Sequence, residues 1–197
     1  MRIPIVLAAL LLPVVVFLAG GKIVLRASGR DQVARAPLTA TDADQKPLGQ
    51  RLGYSSRDAS NYWNTLGAVG RAAETRFLEL DLIFPFFYGG ALACGLLLTR
   101  AILGRPFQAA WILVPVATVM IADWTENLSQ LGQLARYDAG ETLQGSWIRV
   151  ASTATTVKLL TGGILFLGLA ALVFVALTTH LSAASSSTPA RPPVVGR

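Results

Sequence analysis

The residues best suited to chemistry are Asp123, Glu126 and Asn127, in the stretch Asp123-Trp124-Thr125-Glu126-Asn127. A spacing of i, i+3 and i+4 puts all three on one face of a helix. The segment around them, from about Phe107 to Leu134, reads as a transmembrane helix. Two carboxyls and an amide are costly to expose to lipid, so this face is expected to turn toward other helices or a water-filled cavity. Asp81, Thr155 and Lys158 lie near the starts of two further apolar segments and complete the candidate cluster. Arg76 and Arg149 are candidate neutralising partners. Such a set can act as an ion-pair network that fixes helix register, as a site for a ligand, ion or proton, or as paired acids for acid–base chemistry. With Asn127 and water, the acids also suit a hard divalent cation.

The composition narrows these readings. Of the 197 residues 53% are apolar and only 14% charged, against about 25% charged in an ordinary soluble domain. The mean hydropathy is +0.53. The chain is therefore expected to be an integral membrane protein whose first partner is the lipid bilayer. Its formal charge of +6 then bears on topology and anionic lipid. No interleaving of aromatic and basic residues points to nucleic acid. A single cysteine, Cys94, excludes an intrachain disulfide. With His180 as the only histidine, neither a histidine-based metal site nor a Ser/His/Asp triad is supported. No metal ligands or catalytic residues are assigned, and the cofactor stays open.

The elements that must position the cluster follow from the apolar runs. We expect an all-α fold, a four-helix transmembrane bundle with spans at about 3–20, 78–99, 107–134 and 149–177. The first run is read as an uncleaved helix rather than a signal peptide, because Leu18-Ala19-Gly20-Gly21 is a poor cleavage site. Gly21 to about Ser56 reads as an extramembrane loop with a short strand at Ile23–Leu25. From Ser55 or Ser56 an amphipathic helix is expected, with serine as N-cap and Asp58 in the first turn. Its stripe is Trp63, Leu66, Val69, Gly70, Ala73, Phe77 and Leu80, with Arg57, Arg71, Glu74 and Arg76 largely off it. Tyr62 and Trp63 suit a membrane interface. Pro85 is expected to free the backbone carbonyl of Asp81. Gly89/Ala93 and Ala91/Gly95 are small-residue pairs that allow close helix approach. Arg100–Pro106 reads as a basic turn and Ala135–Ile148 as a loop. Residues 1–181 form one membrane domain, and residues 182–197 read as a disordered tail.

Depth links the candidates. At about 1.5 Å per residue, Asp123 and Glu126 lie roughly 24 and 28 Å along their helix from Phe107. The hydrocarbon core is about 30 Å thick. Asp81 and Lys158 begin their own spans, so all four fall near the same membrane face.

Several short motifs occur in a telling order: Gly53-Tyr54, Leu66-Gly67, Gly70-Arg71, Asp81 with Phe84-Pro85 and Tyr88, Asp123-x-x-Glu126-Asn127, and Ala151-Ser152-x-x-Thr155-x-x-Lys158. Over roughly Gly53 to Leu177 the chain resembles a group of uncharacterised, largely bacterial, four-span membrane proteins. It departs from them at Leu159, where similar sequences often carry tryptophan. The resemblance implies the four-span architecture and no activity.

The function expected from these residues is a non-enzymatic binding or accessory module with a buried acidic and lysine cluster near one membrane face. The alternative is a small transporter or proton-coupled carrier, which with four spans needs a homo-oligomer or a partner membrane protein. An intramembrane enzyme ranks third, since no separate nucleophile is evident. Arg2 and the Arg100/Arg105 turn favour cytoplasmic termini in a bacterial inner membrane.

Overall fold

The computed structural model describes residues 3–33, 46–104 and 109–186. Among these the protein is all-α, with no strand. The helices are α1 (Ile3–Ala27), α2 (Arg30–Val33), α3 (Ser56–Asp81), α4 (Phe84–Leu103), α5 (Ala109–Asp138) and α6 (Gly145–Ser186), and a 3-10 turn covers Leu48–Gln50. Three helices contain segments long and apolar enough to cross a membrane: Leu7–Ala27, Phe84–Leu103 and Gly145–Thr179. Helices α1, α4, α5 and α6 pack as a ring in which α1 lies along α4, α4 along α5 and α5 along α6, and α6 closes back on α1.

Small residues set the closest approach. A Cβ on Gly95 would lie 2.5 Å from the Ala9 carbonyl oxygen and 3.2 Å from Pro13 Cγ, so glycine lets the α1 backbone rest on α4. Gly89 makes room for the Met120 side chain of α5. The small-residue pairs of α4 are thus engaged within the chain.

Two apolar clusters form the interior. One lies among the long helices and includes Phe84, Tyr88, Leu92, Val119, Leu165 and Leu169. The other lies at one end of the ring and joins Leu48, Tyr54, Tyr62, Trp63, Leu134 and Ile148. Tyr62 and Trp63 are buried in this second cluster, so they are core residues rather than interfacial anchors. Their helix caps the bundle.

Helix α3 begins where the sequence places it. Ser55 is the N-cap: its hydroxyl accepts from the Asp58 amide, and the Asp58 carboxylate accepts from the Ser55 amide at 2.7 Å. This reciprocal pair satisfies two amides that the first turn would otherwise leave open. The Ser55 hydroxyl and amide hold the Asp58 carboxyl below its usual range.

The helix then turns sharply at Gly67, whose φ of 62° and ψ of 179° are non-helical. Tyr62 and Glu74 would lie roughly 18 Å apart along a straight helix. Instead Tyr62 Oη donates to Glu74 Oε2 at 3.2 Å. The two arms fold together, and Arg71 ties them by donating from Nη1 to the Trp63 carbonyl at 3.2 Å.

Other boundaries differ from the sequence expectation. Ile23–Leu25 is helical, because α1 runs on to Ala27; its own backbone ladder satisfies the amides that a strand would leave unpaired. Pro85 opens α4 instead of kinking a continuous helix, and at a first turn its missing N–H costs no helical bond. The carbonyl drawn into a tertiary contact is that of Leu82, which accepts from Trp124 Nε1 at 2.8 Å. The α5–α6 connection is only 139–144. It is closed by Gly140 at φ 72° and by the Glu141 amide donating to the Arg136 carbonyl at 2.9 Å. Residues 100–103 of the expected basic turn are helical and Gly104 caps α4 in the left-handed region; residues 105–108 lie outside the described residues. Helix α6 starts before Arg149 and continues past Ser182 to Ser186; residues 187–197 also lie outside the described residues.

The backbone at Gly67 is one that essentially only glycine adopts. Gly67→Ala is expected to lower stability by about 1–3 kcal/mol, read by equilibrium unfolding in detergent. An unchanged midpoint would mean that α3 is not bent there.

Candidate functional site

Between the two apolar clusters lies a polar layer. Helix α5 supplies most of it: Asp123, Glu126, Asn127, Gln130 and Gln133 are all buried and continue one helical face. Lys158 of α6 reaches across to two members of that face. Its Nζ donates to Asp123 Oδ1 at 3.0 Å and pairs with Glu126 Oε2. One cation thus bridges two carboxylates one turn apart. Tyr88 of α4 donates to the other Asp123 oxygen at 2.8 Å. Asp81, at the end of α3, accepts from Asn127 Nδ2 at 3.1 Å. The structure therefore brings Asp81, Asp123, Glu126, Asn127 and Lys158 together from three helices, and Tyr88 adds a fourth.

Thr155 is fully buried beside them, with its hydroxyl donating to the Ala151 carbonyl of its own helix at 3.0 Å. Thr156 back-bonds to Ser152 in the same manner at 3.1 Å. Ser152 does something else: its hydroxyl accepts from the Tyr54 amide at 2.8 Å and so docks the segment before α3. Arg76 and Arg149 are exposed, and among the described residues neither forms an ion pair with the layer.

The arginine that enters is Arg30. Its Nε pairs with Glu74 Oε2 at 2.7 Å, its Nη2 donates to Tyr62 Oη at 3.0 Å, and its guanidinium lies 4.1 Å from the Phe77 ring centre. Burial pushes the Glu74 carboxyl above its usual range, against the pull of Arg30. Burial and the Glu74 charge also push the Tyr62 phenol up. On a straight helix Glu74 lies off the apolar stripe. The bend at Gly67 brings it inside, to 2% exposure.

Sequence reasoning also missed Gln130 and Gly49. Gln130 lies seven residues beyond Asp123, so extending that face by two turns would have found it. Its Nε2 donates to Glu126 Oε1 at 2.9 Å and to Tyr54 Oη at 3.2 Å. Its Oε1 is buried without a hydrogen-bond partner. Gly49 belongs to the 3-10 turn that roofs the layer. A Cβ there would come within 2.8 Å of Glu126 Oε1, so the turn can rest on the carboxylate only because it carries glycine. No local signal marks that contact.

A cavity of about 600 Å³ adjoins the layer. Arg30, Glu74, Asp81, Asp123, Gln130 and Lys158 line its polar part. Phe17, Leu92, Val119, Gly162, Gly163 and Phe166 line the rest. The cavity is therefore amphipathic, charged where it meets the layer and aromatic and aliphatic between α1, α4 and α6. Among the described residues, no group of three or more His, Cys, Asp or Glu is arranged to hold a metal ion.

Comparison with family models, curated proteins and solved structures finds no match.

Two measurements test the layer. Removing one partner of a buried ion pair costs about 3–5 kcal/mol, because the other charge is left uncompensated. Lys158→Met and Glu126→Gln are each expected to lose stability on that scale, while the double variant recovers part of the loss. Additive losses in the cycle would mean that the pair carries no coupling. The second measurement concerns Glu74. With its folded pKa raised above 4.5, the folded state binds the proton more tightly than the unfolded state, so the contribution of Glu74 to stability falls as pH rises above 4.5. Unfolding midpoints from pH 4.5 upward are expected to decline more steeply in wild type than in Glu74→Gln. Parallel profiles would mean that Glu74 titrates alike in both states.

Proposed function

We propose that the chain is a non-enzymatic, four-span integral membrane protein that binds an amphiphilic molecule in the cavity between its ion-pair layer and its apolar core. The observation that carries this reading is the continuity of the cavity from buried charge to an aromatic and aliphatic wall that includes buried Phe84 and Leu92. Its volume lies within the roughly 300–1,000 Å³ typical of small-molecule sites, and a few convergent polar groups at one end of an apolar pocket are what fixes a ligand's orientation there.

Helix α5 is the fourth span in this proposal. Its first half is apolar and its polar face is turned inward, as a membrane requires of carboxylates. The resemblance to the largely bacterial four-span group belongs to the same proposal. It is supported by the meeting, in one layer, of residues from three of the motifs that carry it. We place the termini on the cytoplasmic side of a bacterial inner membrane, on the strength of Arg2 and the Arg100/Arg105 turn. The polar layer then lies toward the exterior.

An enzyme is less well supported. None of the residues lining the cavity is Ser, Thr, Cys or His, and Lys158 is engaged by two carboxylates. For a carrier, the far half of the helix ring is filled by Leu96, Leu165, Leu169 and Val173; Thr99, buried there, bonds back to the Gly95 carbonyl of its own helix, and the charged layer does not reach it.

Two experiments test the proposal. In a Cys94→Ser background, cysteines introduced at residues 105 and 138 are expected to react from opposite sides of the membrane; reaction from one side only removes the α5 span. A photoactivatable long-chain alcohol is expected to label the purified chain saturably, with adducts at Phe84, Leu92 or Phe166. Adducts confined to exposed residues such as Leu167 and Phe174 would overturn the binding site.

A further inference from the structure

We infer that the molecule bound in this cavity is an amphiphilic cation, an apolar body bearing a protonated amine, with the ammonium group held at Asp81 and Gln130. The inference rests on the binding reading above and adds the chemical class of the ligand.

Charge count is the first ground. Four carboxyls line the cavity, those of Glu74, Asp81, Asp123 and Glu126, against two cations, Arg30 and Lys158. Both cations are engaged. Arg30 is held by Glu74 and Tyr62, and Lys158 by Asp123 and Glu126. Of the two surplus charges, one lies in the bridge where Lys158 faces two carboxylates, and the other is Asp81: it receives the Asn127 amide, and among the described residues no cation pairs with it. A carboxylate kept out of water without a counter-charge is costly, and a ligand ammonium group supplies that charge at this position.

The second ground is independent of charge. Gln130 is 1% exposed, it lines the cavity, and its Oε1 has no hydrogen-bond partner. Turning the amide over does not relieve this. Its Nε2 donates to Glu126 Oε1, and an ionised carboxylate only accepts, so a reversed amide would set oxygen against oxygen. The site therefore offers one unpaired carboxylate and one unpaired carbonyl oxygen, both acceptors. An ammonium group is a compact cation with three donors, so it can pair with Asp81 and still have donors for a carbonyl oxygen such as that of Gln130, which lines the same cavity. A phosphate or carboxylate head would bring further negative charge to four carboxyls and find both cations engaged. The remainder of the cavity, walled by Phe17, Phe84, Val119 and Phe166 with space beside Gly162 and Gly163, accepts the apolar body.

The test uses the full chain in a neutral detergent, with decylamine, decanol and decanoate as competitors for the photoactivatable alcohol. The three share a ten-carbon chain and differ in head charge. Decylamine is expected to suppress the Leu92 and Phe166 adducts at a concentration at least tenfold lower than decanol, and decanoate at a higher concentration than either. In Asp81→Asn, decylamine and decanol are expected to protect at the same concentration. Cavity adducts suppressed equally well by decanol, or better by decanoate, would overturn the cation while leaving the binding site intact. Absence of cavity adducts would remove both. If Asp81→Asn does not fold, the wild-type series alone decides the head-charge preference. Gln130→Leu, which keeps Asp81 and removes the free carbonyl, is then expected to narrow the gap between amine and alcohol.

Discussion

Lys158 stands between Asp123 and Glu126, and most of the structure depends on that one cation. The two carboxylates lie one helical turn apart on α5, so a single ammonium group placed opposite the gap can serve both. The contact fixes how far α6 slides along α5 and how each is rotated, since neither helix can shift by a turn without leaving a charge unpaired away from water. Tyr88 then ties α4 to the same Asp123, and Asn127 ties α5 to Asp81 at the end of α3. The register of four helices is set within a single layer.

The layer persists because apolar clusters close it on both sides. Toward the helix ring it meets Phe84, Leu92, Val119 and their neighbours. Toward the other end it meets Leu48, Tyr54, Tyr62 and Trp63. The second cluster exists only because α3 bends at Gly67 and lays one arm against the other. That bend also carries Glu74 into the interior, where Arg30 from the start of α2 meets it. One glycine conformation thus couples a helix cap, an ion pair and the link between the first long helix and the rest of the chain.

Charge and space do not balance where these parts meet. The layer holds more carboxylates than cations and borders a cavity that runs among aromatic side chains. A purely structural layer gains from pairing every charge and filling the adjoining space, since unpaired polar atoms and empty volume both cost stability. The surplus at Asp81 and Gln130 is therefore the feature that sets the layer apart from a device for helix register alone.

The sequence by itself determined the helical class, the apolar segments, the serine cap of α3 and the residues that had to be hidden. The last follows because Asp81, Asp123, Glu126, Asn127 and Lys158 lie on apolar segments, where exposure to lipid is costly, and at positions whose distance from the segment ends can be counted. Such signals are local: periodicity, capping chemistry and the cost of burying a charge are all properties of a few neighbouring residues. Only the tertiary structure decided which partners meet. Arg30 rather than Arg76 or Arg149 became the second cation, because the fold-back of α3 turns Glu74 toward the start of α2. Gly49 came to rest on Glu126 through a turn with no marked pattern of its own. The direction in which a helix bends at a glycine depends on what packs against both arms, and that information is spread over residues from Leu48 to Ile148. The cavity belongs to the same category, since it is the space left when α1, α4 and α6 meet around side chains far apart in the chain.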